Sequence, residues 1–498
     1  MGPDSRASAH ESAELGPGLG PGPGLGSGPR PLGPLPANGA AEARDGAGEA
    51  AIELELTDLA YGGDAVGRYQ GRAVFVTGGL PGELVRARLI RERSNYARAM
   101  LIEVLRPSME RIQPAYPELG ESGGFQWQHL AYPAQLTWKT RIVRQLLARI
   151  GRFVNAPVQP TIGMPTGTDP WRYRTVAQFA IGPEGVIGFR RAGSHDVLDM
   201  SSCPIVHPAL DRLYQAVRGW LRAHWGERAD SFAERFTLRV AADPLVNGEQ
   251  SGPHAGLLAI EARPGSAFDE AGGPQAIGEA LLAETPGLVG VVVLGLPGGR
   301  GRVVVGQDFL YDRVLERTFR ISAGSFFQVN ATQTPILVQE ALAAANPRGS
   351  DWALDGYSGV GLFSLFLADH VTHVHAIESQ PSAVADARAS ALLNNITNVT
   401  VTEGVLERVL GGVVRQRERV DVALVDPPRS GCHPRALTQI RQLAPRALVY
   451  ISCDPSTLAR DLQLFCGEGG YRLTTVQPVD MFPFTSHVEC VALCERLR

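Results

Sequence analysis

Residues 352–361, WALDGYSGVG, decide the fold. An apolar run of strand type ends at Asp355, and Gly356, Gly359 and Gly361 follow within six residues. Glycines there let the backbone turn tightly and approach a ligand. Downstream, THVHAIE (372–378), VTVTEG (399–404), RVDVALVDPPR (419–429), RALVYISCD (446–454) and LTTVQPVD (473–480) repeat the strand pattern between helical stretches. That alternation predicts an α/β doubly wound sheet. Ligands of such sheets bind at the carboxyl ends of the strands.

Those ends carry chemistry. Glu378 closes the second strand, where an acid can accept hydrogen bonds from both ribose hydroxyls of a nucleoside. The glycine loop lacks a P-loop lysine and is too short for the full dinucleotide fingerprint. A nucleoside without pyrophosphate fits, and S-adenosylmethionine is the obvious one. Asp426-Pro427-Pro428-Arg429 ends the fourth strand, because proline cannot continue the ladder. Asp426 there reads either as an acceptor for an N–H of a planar base or as a turn cap. Cys453 ends the fifth strand in the same crevice as Asp426 and Glu378. Helix dipoles and Arg429 are expected to favour its thiolate, whereas Cys466 and Cys494 read as buried small hydrophobes. Ser486-His487-Val488-Glu489-Cys490 offers Glu489 as general base, with His487 as the alternative. Phe326-Phe327-Gln328-Val329-Asn330 reads as a platform for stacking and hydrogen bonding, or as plain core.

Upstream, the 498 residues leave room for about two more domains. Residues 1–50 are rich in Gly, Pro and Ala and cannot bury a core, so they are expected to be a disordered tail. Residues 51–110 hold short alternating segments punctuated by glycine, which predict a small β-barrel. Arg68, Arg72, Arg86, Arg88, Arg91, Arg93, Arg98 and Arg106, with Tyr69 and Tyr96 among them, point to nucleic acid. Residues 111–325 predict an α+β domain that includes an amphipathic helix from Pro133 to Ile150, and 326–498 form the doubly wound domain. The net charge of −4 argues mildly against nucleic acid overall. Lys139 is the only lysine among 47 basic residues, a bias read as base composition. The six cysteines form no CxxC pair, which excludes a disulfide scaffold or zinc ribbon, so no metal ligands are assigned. No run of about 20 apolar residues spans a membrane. No secretory signal is visible, and a cytoplasmic location with reduced thiols is expected. No obligate protein partner is evident.

FFQVN, DGYSGVG, DPPRSG, YISCDPSTLARDL and SHVEC, in this order, resemble the RNA uracil-5-methyltransferases acting on ribosomal and transfer RNA. Residues 51–113 resemble their TRAM domain, an OB-like barrel. The resemblance implies a methyltransferase sheet of six parallel strands plus one antiparallel strand, the last, which brings Glu489 into the crevice. It implies Cys453 as the nucleophile at C6 of uracil and Glu489 as the acceptor of the C5 proton. Gln328, Tyr357 and Glu378 match the family's S-adenosylmethionine positions. Asp426 would bind the uracil edge or the cofactor, with Phe326 and Arg429 toward the RNA. Many ribosomal members hold an iron–sulfur cluster; here Tyr116, Ser122 and Phe125 stand at three ligand positions and only Cys203 remains, so no cluster is expected. Asp454 replaces a more usual Asn, and Val405 an acid that reads the adenine. The implied activity is formation of 5-methyluridine in RNA, with ribosomal RNA favoured, transfer RNA second, and a non-catalytic RNA-binding chaperone as a third reading.

Overall fold

The computed structural model describes residues 51–243, 255–263, 266, 268, 272–296, 302–416, 418–467 and 469–497; the 1–50 segment, with its expected disorder, lies outside the described residues. Strands β1 (Ala51–Leu59), β2 (Ala65–Tyr69), β3 (Arg72–Thr77), β4 (Leu84–Glu92) and β5 (Tyr96–Arg106) close a barrel in the order β1-β2-β3-β5-β4. The period of two drives it: Ile52, Leu54 and Leu56 point inward and the residues between them outward. Much of the barrel's arginine is already paired. Arg86 bridges Glu53 and Glu103, Arg72 meets Glu92, Arg98 meets Asp64, and Arg106 meets Glu55. Arg68, Arg88, Arg91 and Arg93 make no ion pair among the described residues, so the charge free for a partner is about half of what the sequence count suggests.

The central part builds a seven-stranded sheet from β6 (Val176–Ile181), β7 (Ile187–Arg190), β8 (Val197–Asp199), β9 (Ala233–Val240), β10 (Gly256–Ala262), β11 (Leu288–Leu294) and β12 (Val303–Gly306), in the order β12-β11-β10-β9-β6-β7-β8. Only the β10–β11 pairing is parallel. A two-stranded hairpin, β13 (Phe309–Val314) and β14 (Arg317–Ser322), leads into the C-terminal domain.

There β15 (Trp352–Gly356), β16 (His373–Glu378), β17 (Val399–Glu403), β18 (Val422–Val425), β19 (Ala447–Ser452), β20 (Tyr471–Val479) and β21 (Glu489–Arg496) pair as β17-β16-β15-β18-β19-β21-β20. Six strands run parallel, and β21 runs antiparallel to both neighbours. The central strands are apolar and wholly buried, as strands covered on both faces must be.

The helices are α1 (Tyr132–Arg149), α2 (Pro208–His224), α3 (Ala229–Phe232), α4 (Gly273–Glu284), α5 (Thr334–Ala345), α6 (Leu362–Leu367), α7 (Pro381–Leu393), α8 (Leu406–Gln416), α9 (Pro434–Leu443) and α10 (Pro455–Gly467). Helix α1 joins two cores: Trp138 and Ile142 pack in the barrel's, and Val143 and Leu147 in that of the C-terminal sheet. No described helix is long and apolar enough to cross a membrane.

Candidate active site

The parallel register aligns the ends of β15, β16 and β18: Gly356 pairs with Ile377 on one side and Val425 on the other. Past Gly356, Tyr357 adopts a left-handed φ of 61° and Gly361 a φ of 86° where α6 begins. A Cβ on Gly356 would lie 3.0 Å from Leu406 and 3.2 Å from Val425, so only glycine leaves this approach open. Glu378 braces the loop: its Oε2 accepts from Gly359 N–H at 2.9 Å and its Oε1 from Ser379 and Gln380 N–H. Asp355 is wholly buried; its Oδ2 accepts from Ser364 Oγ at 2.5 Å, while its Oδ1 has no partner. Burial, with Asp426 nearby, pushes this carboxyl up to about 7.

The second cluster follows from the antiparallel β21. Ser452 pairs with Cys490, so one residue further Cys453, at the end of β19, faces Glu489, at the start of β21. Glu489 is buried, and burial together with Asp426 holds its carboxyl well above the usual range, with Arg429 working against the rise. Burial also pushes Asp426 up to about 7. No hydrogen bond reaches either carboxylate among the described residues. The surroundings of Cys453 work against the expected thiolate. Burial, then the charge of Glu489, pushes the half-buried thiol up to about 12, and Arg429 lowers it too little to compensate. Asp454 caps α10 through Ser456 and Thr457 N–H. Tyr61, from the barrel's β1–β2 loop, faces Asp454, Arg429 and Cys453, and its phenol is pushed up by burial and by Asp454.

The third element is the turn before β21. Phe484 holds a left-handed φ of 63°, a conformation costing about 1–3 kcal/mol unless its surroundings impose it. They do. Gln135 Oε1 accepts from Phe484 N–H at 2.9 Å, and Trp127 N–H donates to Phe484 O at 2.9 Å. Trp171 stacks on the Phe484 ring at 3.7 Å between centroids. Ser486 donates its N–H and its hydroxyl to Gln126 Oε1, each at 3.2 Å. His487 is pushed down to about 4 by burial and by Arg429, and its Nδ1 is unpartnered, so it is neutral at pH 7.

Beside this turn opens a cleft of about 400 Å³, lined by Arg174, Arg190, Arg235, Arg429, Phe482 and His487 among others. Arg235 is ion-paired to Glu261, whereas Arg174 makes no ion pair among the described residues.

The platform Phe326–Asn330 divides. Phe326 is 67% exposed, whereas Phe327 packs on Phe319 in the core and Gln328 is buried. Val405 is exposed before α8. Tyr116 and Phe125 pack on Trp171, and buried Ser122 leaves its Oγ without a partner among the described residues; Cys203 lies in the same core, its thiol pushed up to about 12 by burial. Cys466, expected to be buried, is half-exposed, 3.5 Å from Cys494 Sγ. Tyr61, Lys139, Trp171 and Arg174 had no motif to announce them, and Gln126 stood in the sequence only as part of the Tyr116–His129 stretch, without a role. Each lies hundreds of residues from the strand ends it serves, and only the singularity of Lys139 stood out in the sequence.

The family profile described as tRNA (Uracil-5-)-methyltransferase matches residues 289–497, and the TRAM domain profile matches 50–102. An uncharacterized RNA methyltransferase of Halalkalibacterium halodurans is 36% identical over 454 residues, 89% of this chain and 96% of the relative. One of Gloeobacter violaceus is 35% identical over 457 residues, with the same coverage. Among solved structures, the Pyrococcus abyssi tRNA (uracil-54, C5)-methyltransferase in complex with S-adenosyl-L-homocysteine shares the fold, with a TM-score of 0.65 at 22% identity over 89% of this chain and 99% of that one.

Proposed function

This chain belongs to the RNA (uracil-5-)-methyltransferase family, and on that premise we propose that it methylates C5 of a uridine in ribosomal RNA through a covalent bond from Cys453 to C6. The observation that carries the reading is the β19–β21 register, which sets a thiol beside a buried carboxyl with Asp426 at the next strand end. The residues of the glycine loop fit S-adenosylmethionine: Gly356 leaves room, Asp355 Oδ1 lacks a partner, and Glu378 stands at the end of β16. Gln328 and Tyr357 would complete that site. When bound, the cofactor supplies an electrophilic sulfonium methyl.

The chain's own residues do the rest. The target base leaves its stack to enter the crevice, and exposed Phe326 offers a face that offsets part of that cost. Cys453 loses its proton to solvent, its thiolate forms the S–C6 bond, and the electron pair of the C5–C6 double bond passes to C5, which takes the methyl. Asp426 and Arg429 hold the uracil edge, a neutral Asp426 being able to donate to a carbonyl. Glu489 then accepts the C5 proton. The C–H electrons restore the C5–C6 double bond and the sulfur leaves with its own pair. Arg174, Arg190 and Arg429 line a path for the RNA backbone.

The barrel supports the ribosomal substrate by extending the basic surface beyond one base. The test is labelled S-adenosylmethionine with undermodified ribosomal RNA and, separately, transfer RNA. Label in ribosomal 5-methyluridine is expected. Label in transfer RNA alone would move the substrate, and label transfer by Cys453→Ala would remove the nucleophile.

A further inference from the structure

We propose that Gln126 is a positioning residue for proton abstraction: it holds the turn that places Glu489, and so sets the rate at which the covalent intermediate is released. The inference rests on the reading of Cys453 and Glu489 given above. Glu489 is the first residue of β21, so the ladder fixes it from one side only. Its approach is set by Phe482–Val488, a segment with no strand partner. Every bend of that segment is tied from outside. Lys139 Nζ donates to Phe482 O at 3.0 Å. Gln135 and Trp127 take the two peptide groups of left-handed Phe484, and Trp171 covers its ring. Gln126 makes the last tie before the catalytic strand, three residues from Glu489, with one oxygen accepting both donors of Ser486.

Lys139, Gln135 and Trp127 are buried beneath the turn, where loss would unsettle the fold. Gln126 is half-buried and the chain on either side of it is held independently: Phe125 stacks with Trp171, and Trp127 bonds Phe484 and Gly63. Its amide oxygen therefore governs placement more than stability. A carboxyl displaced by about 1 Å can cost about a hundredfold in a step that depends on alignment. The step affected is the last one. Glu489 takes the proton from C5, the C–H electrons form the C5–C6 double bond, and the C6–S bond breaks with its electrons going to sulfur. Attack and methyl transfer come before this and do not use Glu489.

The experiment compares Gln126→Ala and Gln126→Glu with the unaltered enzyme on unmodified RNA and S-adenosylmethionine. It reads turnover and the fraction of enzyme held as a methylated protein–RNA adduct. Gln126→Ala is expected to lose about ten- to a hundredfold in kcat with KM little changed, and to accumulate adduct. Gln126→Glu, which keeps an oxygen for both Ser486 donors, is expected to restore release. Unchanged turnover in Gln126→Ala, or joint loss of adduct and turnover, overturns the proposal. Failure of the unaltered enzyme to form any adduct with 5-fluorouridine RNA would overturn the underlying Cys453 reading instead, and shows without any substitution.

Discussion

Lys139, the only lysine in the chain, is wholly buried on α1 and sets its Nζ 2.5 Å from Oδ1 of the equally buried Asp480. Tyr132 donates to the other Asp480 oxygen, so α1 grips the end of β20 just before the turn that leads into β21. Breaking such a pair from one side strands a charge. Lys139→Met is expected to cost about 3–5 kcal/mol in denaturant unfolding, and Lys139→Met with Asp480→Asn to recover part of it. Equal losses in the single and double variants would refute the coupling.

On the proposed mechanism, removing the Glu489 carboxylate should separate the two halves of the reaction. Glu489→Gln is expected to lower turnover by about 10²–10⁴ while retaining methyl transfer in a single turnover, seen as a labelled adduct on denaturing gels. Cys453→Ala should show neither.

Rate should climb with pH. Cys453 is pushed up to about 12, so its thiol is protonated at neutral pH in the free enzyme, while burial and Asp426 hold Glu489 well above the carboxylate range. The reactive thiolate fraction therefore grows as pH rises toward about 12. Arg429 lowers both groups, so Arg429→Gln should move the rising limb of kcat/KM to higher pH. A limb that stays in place or moves to lower pH would contradict this.

RNA binding offers a contrast between two arginines. Arg174 lines the cleft without an ion pair among the described residues, whereas Arg86 is held by Glu53 and Glu103. Arg174→Gln is expected to reduce the slope of log K against log salt by about 1, and Arg86→Gln to leave it nearly unchanged. Filter binding across a salt series reads both.

Asp355 links stability to pH. Its carboxyl titrates near 7 when folded against 3.8 for the ordinary group, so the folded chain holds the extra proton between those values. Stability from this group is therefore full below pH 4 and falls as pH rises toward 7. Asp355→Asn should flatten that decline in thermal melts taken across the range. An unchanged slope would count against it.

The doubly wound sheet was legible because its strands are apolar throughout and end in glycine, proline or acid, signals that are local in sequence. Cys453 and Glu489 were legible as strand ends for the same reason. The ionisation of Cys453 was not, because it depends on which carboxylates the fold gathers around the sulfur and how dry they are. The barrel's arginines misled as a count, since Glu53, Glu55, Glu92 and Glu103 pair with them across strands. Gln126, Gln135 and Trp171 form a cradle only once residues more than 300 positions apart have met.

Tyr61 has a consequence for evolution and for engineering. Because the phenol beside Asp454 and Arg429 comes from a different module, the N-terminal barrel is no interchangeable handle for seizing RNA. Grafting another binding domain in its place, even one of higher affinity, would take that phenol away from Asp454.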